Sequence, residues 1–202
     1  MKKPLLWLAG TLLICATAVV AAGCAVVPAA NGTSSALGRA STTVITGAHT
    51  DVGGHRISEG DGWIPRSAPV GSLGDRAAVA NLDPDLRRAL ADATAAAADS
   101  GVEVRVNSGW RTKGYQRALL DEAVRERGSL AQARRWVNTP ERSSHVRGEA
   151  VDIGSWDAMD WMSEHGSDFG LCQTYENEAW HYERATTPGG TCPEMLVDGS
   201  AG

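Results

Sequence analysis

The feature that most constrains this chain is the ten-residue segment 143–152, with the sequence SSHVRGEAVD. His145 and Asp152 stand seven residues apart in it, and Gly148 lies between them where the chain would need to turn. Residues after the glycine alternate as in a β-strand, which places Asp152 on one side and its two neighbours on the other. A turn followed by a strand can therefore bring an imidazole and a carboxylate to one point. Zinc accepts both ligand types at about 2.0–2.2 Å.

A second segment, with the sequence NEAWHYE, places Glu178 three residues before His181. Such a pair can supply a general base beside a metal ligand, as it does on the helix of the H-E-x-x-H motif. Here the aromatic residues Trp180 and Tyr182 favour a strand instead. Because positions 178 and 181 would point to opposite faces of a regular strand, the sequence predicts a bend or bulge near Ala179.

A third segment, Ser-Gly-Trp-Arg at 108–111, follows a predicted strand at 102–106, and Gln116 lies at the opening of the next predicted helix. An arginine at a strand end that faces a metal site can bind a carboxylate or stabilise an oxyanion. Arg111 is therefore the candidate for that role.

Together these segments carry the pattern Ser-x-His-x-x-Gly-x-Ala-x-Asp, followed downstream by Glu-x-x-His. In this pattern and order the chain resembles the VanY-type D-alanyl-D-alanine carboxypeptidases, which belong to the zinc peptidases related to lysostaphin, D-Ala-D-Ala dipeptidases and the hedgehog signalling domain. The resemblance runs from about Leu82 to Asp198, and it departs at Ala179, where many relatives have proline. The matching residues are Ser143, His145, Gly148, Ala150, Asp152, Glu178 and His181.

This resemblance implies that His145, Asp152 and His181 bind Zn²⁺ and leave a fourth position open, which is the arrangement of catalytic rather than structural zinc. It implies that Glu178 is the general base that activates water and later protonates the leaving amine. Arg111 matches the arginine that helps to stabilise charge in the transition state.

Substrate contacts are assigned to three further residues. Gln116 and Ser143 match positions that lie near the substrate in the family. Trp180, next to a ligand, could form either a wall of the pocket or part of the core. The remaining tryptophans of the domain are predicted to lie in the core; they are Trp110, Trp136, Trp156 and Trp161.

The activity implied by the resemblance is hydrolysis of the terminal D-Ala-D-Ala bond of peptidoglycan stem peptides. Three alternatives stay open: a D,D-dipeptidase, an endopeptidase that cuts elsewhere in the stem peptide, and a non-catalytic zinc-binding or wall-binding lipoprotein. The presence of both Glu178 and Arg111 favours an enzyme. A serine enzyme of the penicillin-binding type is excluded, because none of the three lysines follows a serine by three residues.

Charge and ligand chemistry exclude other classes. The formal net charge of -5 argues against binding of nucleic acid, which requires a basic surface. Calcium would require more oxygen ligands than this cluster offers. The three other histidines, His49, His55 and His165, are interpreted as ordinary surface or core residues. The protein is expected to act as a monomer.

The fold predicted for residues 81–198 is α+β, a single zinc-peptidase domain in which helices pack on a small antiparallel sheet. Asp83-Pro84 is a helix opening, with a capping carboxylate before a proline at the first helical position. Apolar residues at helical spacing follow it, and Ser100-Gly101 ends that helix. Further helices are predicted at 114–127, 130–136 and 156–165, and strands at 102–106, 149–153 and 180–184.

The first 23 residues have the composition of a secretory signal peptide. Lys2 and Lys3 precede an apolar run from Leu5 to Val20, and small residues precede Cys24. The sequence AAGC resembles a bacterial lipobox, so Cys24 is predicted to be lipidated and to anchor the protein outside the cytoplasmic membrane; plain secretion is the alternative. Residues 24–43 are predicted to form a flexible tether, and 44–80 an irregular arm with a short strand at 44–46.

Cys172 and Cys192 are the only cysteines after Cys24. In an oxidising compartment they would form a disulfide, whereas two buried thiols are the alternative. The chain-entropy model assigns such a bridge about 3 kcal/mol of stabilisation.

Overall fold

The computed structural model describes residues 48–201, which belong to one compact unit. The predicted signal peptide, Cys24, the tether and the strand at 44–46 lie outside the described residues. Among the residues that are described, no helix combines the length and the apolar character needed to cross a bilayer.

The domain is built on a five-stranded antiparallel sheet. Its strands are β3 (Ala68–Pro69), β4 (Arg105–Ser108), β5 (Ala150–Gly154), β6 (Leu171–Gln173) and β7 (His181–Arg184). Their order across the sheet is β3-β4-β5-β7-β6. β5 lies at its centre, where its neighbours cover both edges and all five of its residues are buried. A separate two-stranded hairpin consists of β1 (His49–Val52) and β2 (His55–Ser58).

Helices supply the rest of the domain, and the two longest are α3 and α4. The helices are α1 (Val70–Leu73), α2 (Ala77–Ala80), α3 (Pro84–Asp99), α4 (Lys113–Arg127), α5 (Leu130–Ala133), α6 (Ser144–Arg147) and α7 (Trp156–His165). Short 3₁₀ turns at Glu59–Asp61 and Gly166–Phe169 complete the elements.

The main core lies between the sheet and helices α3 and α7. Leu86, Leu90, Ala93 and Ala97 recur at helical spacing along α3, and all four are buried in this core. Asp83 caps the helix by accepting hydrogen bonds from the backbone amides of residues 85 and 86. The predicted α+β fold, with helices packed on a small antiparallel sheet, is confirmed.

The segment before the predicted domain is more ordered than the sequence indicated. Val52 and Ile57 of the hairpin pack on Ala118 of α4, and Leu73 and Val79 are buried in the main core. The sequence hid this order because each element is only two to four residues long, too short for a periodic pattern to emerge.

Two predicted elements differ in extent. The strand predicted at 102–106 begins only at Arg105, because the amide of Val102 still bonds to the last turn of α3, at the carbonyl of Ala97. The helix predicted at 130–136 ends at Ala133. β6 was not predicted at all, since a three-residue strand carries almost no alternation.

The predicted disulfide between Cys172 and Cys192 is present. Cys172 lies on β6, an outer strand of the sheet. The bond therefore ties the segment after β7 to this edge of the domain.

Candidate zinc site and its cleft

Three elements bring the predicted ligands together. His145 lies on the short helix α6, which Ser143 caps and which ends at Gly148 in a left-handed conformation with φ of 78°. Asp152 lies at the middle of β5, and His181 is the first residue of β7. Asp152 and His181 are directly paired across the two strands, so the antiparallel register itself places their side chains side by side.

The three side chains form a nearly equilateral triangle of ligand atoms. His145 Nε2 lies 3.2 Å from His181 Nδ1, and Asp152 Oδ1 lies 3.3 Å from each of these nitrogens. A tetrahedral zinc ion with bonds of about 2.0–2.1 Å separates its ligand atoms by about 3.3–3.4 Å. Asp152 Oδ1 is buried and accepts no hydrogen bond of good geometry. The donor set and its spacing therefore fit a zinc ion bound on one face of the triangle.

Hydrogen bonds outside the triangle orient both imidazoles. His145 Nδ1 lies 2.8 Å from the carbonyl oxygen of Gly109, and His181 Nε2 lies 2.9 Å from Oε1 of Glu183. A ring nitrogen that donates to such an acceptor leaves the other nitrogen free for a metal. Neither acceptor was predicted from the sequence. Glu183 could have been found from its spacing, because residues 181 and 183 share one face of a strand.

Electrostatics set the protonation of the three groups in the metal-free protein. Burial would raise the pKa of Asp152, but contacts with His145, His181 and Arg111 hold it well below its ordinary value. Burial, followed by the charge of Arg111, lowers the pKa of His145. Burial also opposes protonation of His181, yet its contacts with the carboxylates of Asp152 and Glu183 raise its pKa to about 9. A bound cation therefore has to displace the proton of His181.

Arg111 is held against the same carboxylate. One terminal nitrogen of its guanidinium lies 2.7 Å from Asp152 Oδ2, the oxygen that does not face the imidazoles. Nε donates to Ser108 Oγ at 2.8 Å, and the other terminal nitrogen donates to Gln116 Oε1 at 3.1 Å. The side chain is 12% exposed, so a positive charge is fixed in a nearly dry position beside the ligands.

A cleft with about 150 Å³ of free space opens over the triangle. The remaining residues that were predicted to contact substrate, Gln116, Ser143 and Trp180, all line it. Gln116 is buried, and its amide nitrogen donates to the carbonyl of Asn138. His49, His55 and His165 are not members of the metal-ligating cluster.

The model of the family described as VanY, D-alanyl-D-alanine carboxypeptidase, matches residues 79–186, which is more than half of the chain. The chain belongs to the VanY family. The predicted family is thereby confirmed, and the match contains all three ligands of the triangle together with Glu178 and Arg111.

Individual relatives of this VanY-family chain cover it in part. A D-alanyl-D-alanine carboxypeptidase of Enterococcus faecalis is 33% identical over 118 residues, covering 46% of this chain and 44% of that relative. The chain thus spans less than half the length of this curated relative. One solved structure is that of a mutant of the vancomycin-resistance D,D-pentapeptidase VanY with Zn(II). It is 30% identical, and the match covers 54% of this chain and 73% of the mutant's chain, with a TM-score of 0.48. VanYB in complex with D-alanine-D-alanine is 31% identical and covers 50% and 70%, with a TM-score of 0.47.

The glutamate of the VanY signature stands at the edge of the triangle. Glu178 lies in a turn before β7, where the amide of His181 donates to its carbonyl oxygen, and this turn is the predicted bend near Ala179. Its carboxylate lies 3.7 Å from His181 Nδ1. Burial, assisted by the charge of Asp152, raises the pKa of Glu178 to about 7. A carboxyl group with such a pKa can both take and return a proton near neutral pH.

Two tryptophans of this VanY-family domain do not lie in the core as predicted. Trp156 is 74% exposed at the start of α7. Trp136 is 37% exposed, lines the cleft, and carries the guanidinium of Arg127 over its ring at 4.5 Å. Arg135 precedes Trp136 and Ser155 precedes Trp156 in the sequence. The sequence around each tryptophan did not indicate whether its side chain faces the core or the solvent.

Proposed function

We propose that this protein is a zinc-dependent carboxypeptidase that hydrolyses the terminal D-Ala-D-Ala bond of peptidoglycan stem peptides. The observation that carries the proposal is the triangle of His145, Asp152 and His181 with the carboxylate of Glu178 beside it. Three protein ligands with one open side are typical of catalytic zinc sites, whereas structural sites close all four positions.

When bound, zinc supplies a Lewis acid that polarises a carbonyl group and lowers the pKa of a water molecule. Glu178 takes the proton of the attacking water and returns it to the leaving amine, because its carboxylate is buried and lies next to the ligands. The raised pKa of this carboxyl places both of its protonation states within reach near pH 7.

Arg111 stabilises negative charge that develops on the carbonyl oxygen. Its three hydrogen-bond partners are all buried residues, so the guanidinium is held in place before the reaction begins. Ser143 and Gln116 line the cleft beside it and supply polar groups for the peptide.

The names of the relatives support the terminal D-Ala-D-Ala bond as the target. The curated relative is a D-alanyl-D-alanine carboxypeptidase, and VanYB has been solved with D-alanine-D-alanine. A D,D-dipeptidase, an endopeptidase and a non-catalytic binding protein are the competing outcomes of the test.

The test uses the chain from about residue 40 onward and a muramyl pentapeptide. Release of D-Ala that stops with a chelator and returns with zinc is expected. Release of the dipeptide D-Ala-D-Ala would indicate a dipeptidase, and cleavage only of cross-linked fragments would indicate an endopeptidase. Zinc binding without any cleavage would overturn the enzymatic proposal.

We further propose that the protein acts outside the cytoplasmic membrane as a monomer anchored through a lipid on Cys24. The AAGC sequence after an apolar run and the disulfide between Cys172 and Cys192 both support an exported protein. Labelled fatty acid should be incorporated into the wild-type chain and not into Cys24→Ser. Equal labelling of the two chains would contradict the anchor.

A further inference from the structure

Arg111 stands on a short loop, 109–112, and each of its four residues is hydrogen-bonded through the backbone to another part of the domain. The carbonyl of Gly109 bonds to the ring of His145, and the amide of Trp110 donates to Ala78 at 2.8 Å. The amide of Arg111 itself donates to the carbonyl of His145 at 3.2 Å. The position of the guanidinium therefore depends on how firmly this loop is held.

The last anchor comes from the 3₁₀ turn after β2. The amide of Thr112 donates to the backbone carbonyl of Asp61 at 3.0 Å, and its hydroxyl lies 3.2 Å from Asp61 Oδ1. The same hydroxyl accepts a hydrogen bond from the amide of Tyr115 and so caps α4. Asp61 thus bonds to both the backbone and the side chain of the residue that follows Arg111.

Gly62, the residue after Asp61, packs against the loop 109–112 at a distance that leaves no room for a side chain. Gly62 has φ of 93°, and a Cβ there would overlap the carbonyl oxygen of Trp110 and lie 3.2 Å from the Cα of Arg111. The turn and the loop are therefore in direct van der Waals contact across the position of Arg111.

The turn is itself braced, so it can act as a fixed support. Asp61 Oδ2 accepts hydrogen bonds from the amide and the hydroxyl of Ser58, at 3.0 and 2.7 Å. Glu59 pairs with Arg76 at 2.9 Å, which joins the turn to the segment leading into α2. The carboxylate of Asp61 thus bonds to Ser58 through Oδ2 and to Thr112 of the loop through Oδ1.

We propose that Asp61 is a positioning residue that holds the loop 109–112 so that Arg111 meets the reacting carbonyl. This inference rests on the proposed peptidase function for its kinetic test. It also assigns a role to the segment before residue 79, where the family match begins.

The kinetic test removes the carboxylate of Asp61 and compares the result with an amide of the same shape. Asp61→Ala removes both sets of bonds and is expected to lower kcat for D-Ala release by about tenfold to a hundredfold, because small displacements of a catalytic group are costly. KM and zinc content are expected to stay unchanged, since Arg111 acts on the transition state. Asp61→Asn keeps an oxygen that accepts from the amide of Ser58 and an amide nitrogen that can donate to the hydroxyl of Thr112. This variant is expected to restore kcat.

Two controls remove stability without touching the loop. Asp83→Ala removes the cap of α3 at Asp85 and Leu86, and Ser155→Ala removes the cap of α7 at Ala158. Both are expected to keep wild-type kcat at temperatures well below their unfolding midpoints. If either control loses as much kcat as Asp61→Ala, or if Asp61→Ala turns over at the wild-type rate, the proposal is overturned.

A second measurement needs no turnover. The Nε–H of Arg111 donates to Ser108 Oγ, and its NMR signal can be assigned by its loss in Arg111→Lys. Its exchange with water is expected to accelerate about tenfold in Asp61→Ala and not in Asp83→Ala. An unchanged exchange rate in Asp61→Ala would refute the positioning role, whether or not the wild-type protein releases D-Ala. A wild-type protein that releases no D-Ala would refute only the proposed function.

Discussion

His181 and Glu183 lie two residues apart on β7, and Nε2 of the imidazole is 2.9 Å from Oε1 of the carboxylate. Glu183 therefore fixes the ring so that Nδ1 faces Asp152 and His145. Carboxylate–histidine pairs of this kind orient the ligand and increase its basicity toward a metal.

Glu183→Gln is expected to weaken zinc binding by about ten- to a hundredfold, because the amide holds the ring without a negative charge. Competition with a chelating indicator would measure the dissociation constant. Glu149→Gln is the matched control, since Glu149 is exposed and pairs only with Arg147. Equal affinity of the two variants would contradict the role assigned to Glu183.

Glu178→Gln should leave the three ligands in place and remove the proton acceptor. We expect zinc content to equal that of the wild type and kcat to fall by at least about 10²-fold. Glu176→Gln, at an exposed position two residues earlier, should keep full activity. Undiminished turnover in Glu178→Gln would show that another group accepts the proton.

The pH dependence follows from the same carboxyl group. Glu178 must be ionised to accept a proton, so kcat/KM should rise as pH increases through its pKa. Burial places that pKa at about 7 in the metal-free site, and the positive charge of a bound cation lowers it. The acidic limb is therefore expected at or below about pH 7, and a limb with its midpoint above about 8 would be incompatible with this assignment.

Gly148→Ala should disturb the site through the backbone. Gly148 has φ of 78°, and a Cβ there would overlap the carbonyl oxygen of Asn81. Gly101 has the same φ with no atom within 4 Å of the added Cβ, so Gly101→Ala controls for the conformational cost alone, about 1 kcal/mol. Urea unfolding should show a larger loss of stability for Gly148→Ala, together with weaker zinc binding. Equal losses would mean that the contact with Asn81 relaxes freely.

Removal of the disulfide should destabilise the domain without altering the cleft. The bond joins residues 20 apart in sequence, and the chain-entropy model assigns such a loop about 3 kcal/mol. Urea unfolding of the double variant Cys172→Ala/Cys192→Ala should show this loss, and reduced wild-type protein serves as the control. If the free energy of unfolding fell by well below about 1 kcal/mol in both the double variant and the reduced wild-type protein, the loop would be ordered without the disulfide.

Part of the fold followed from local sequence patterns. The capping residue Asp83 and the apolar spacing of Leu86 and Leu90 located α3 to within a residue, because a helix of this length is specified by contacts three and four residues apart. The alternation around Asp152 located β5 for a similar reason. The hairpin β1–β2 escaped prediction because its four-residue strands are defined by pairing and by packing on α4, not by a local period.

The sequence by itself determined the family, the α+β class and the side chains of the candidate site, because the signature places a complete ligand set and Glu178 on short segments with distinct spacing. Only the tertiary structure decided how that set is held. Gly109 supports His145 from 36 residues away, and Asp61 supports Thr112 from 51 residues away. Contacts over such distances depend on how the elements pack, and no local pattern of residues records them.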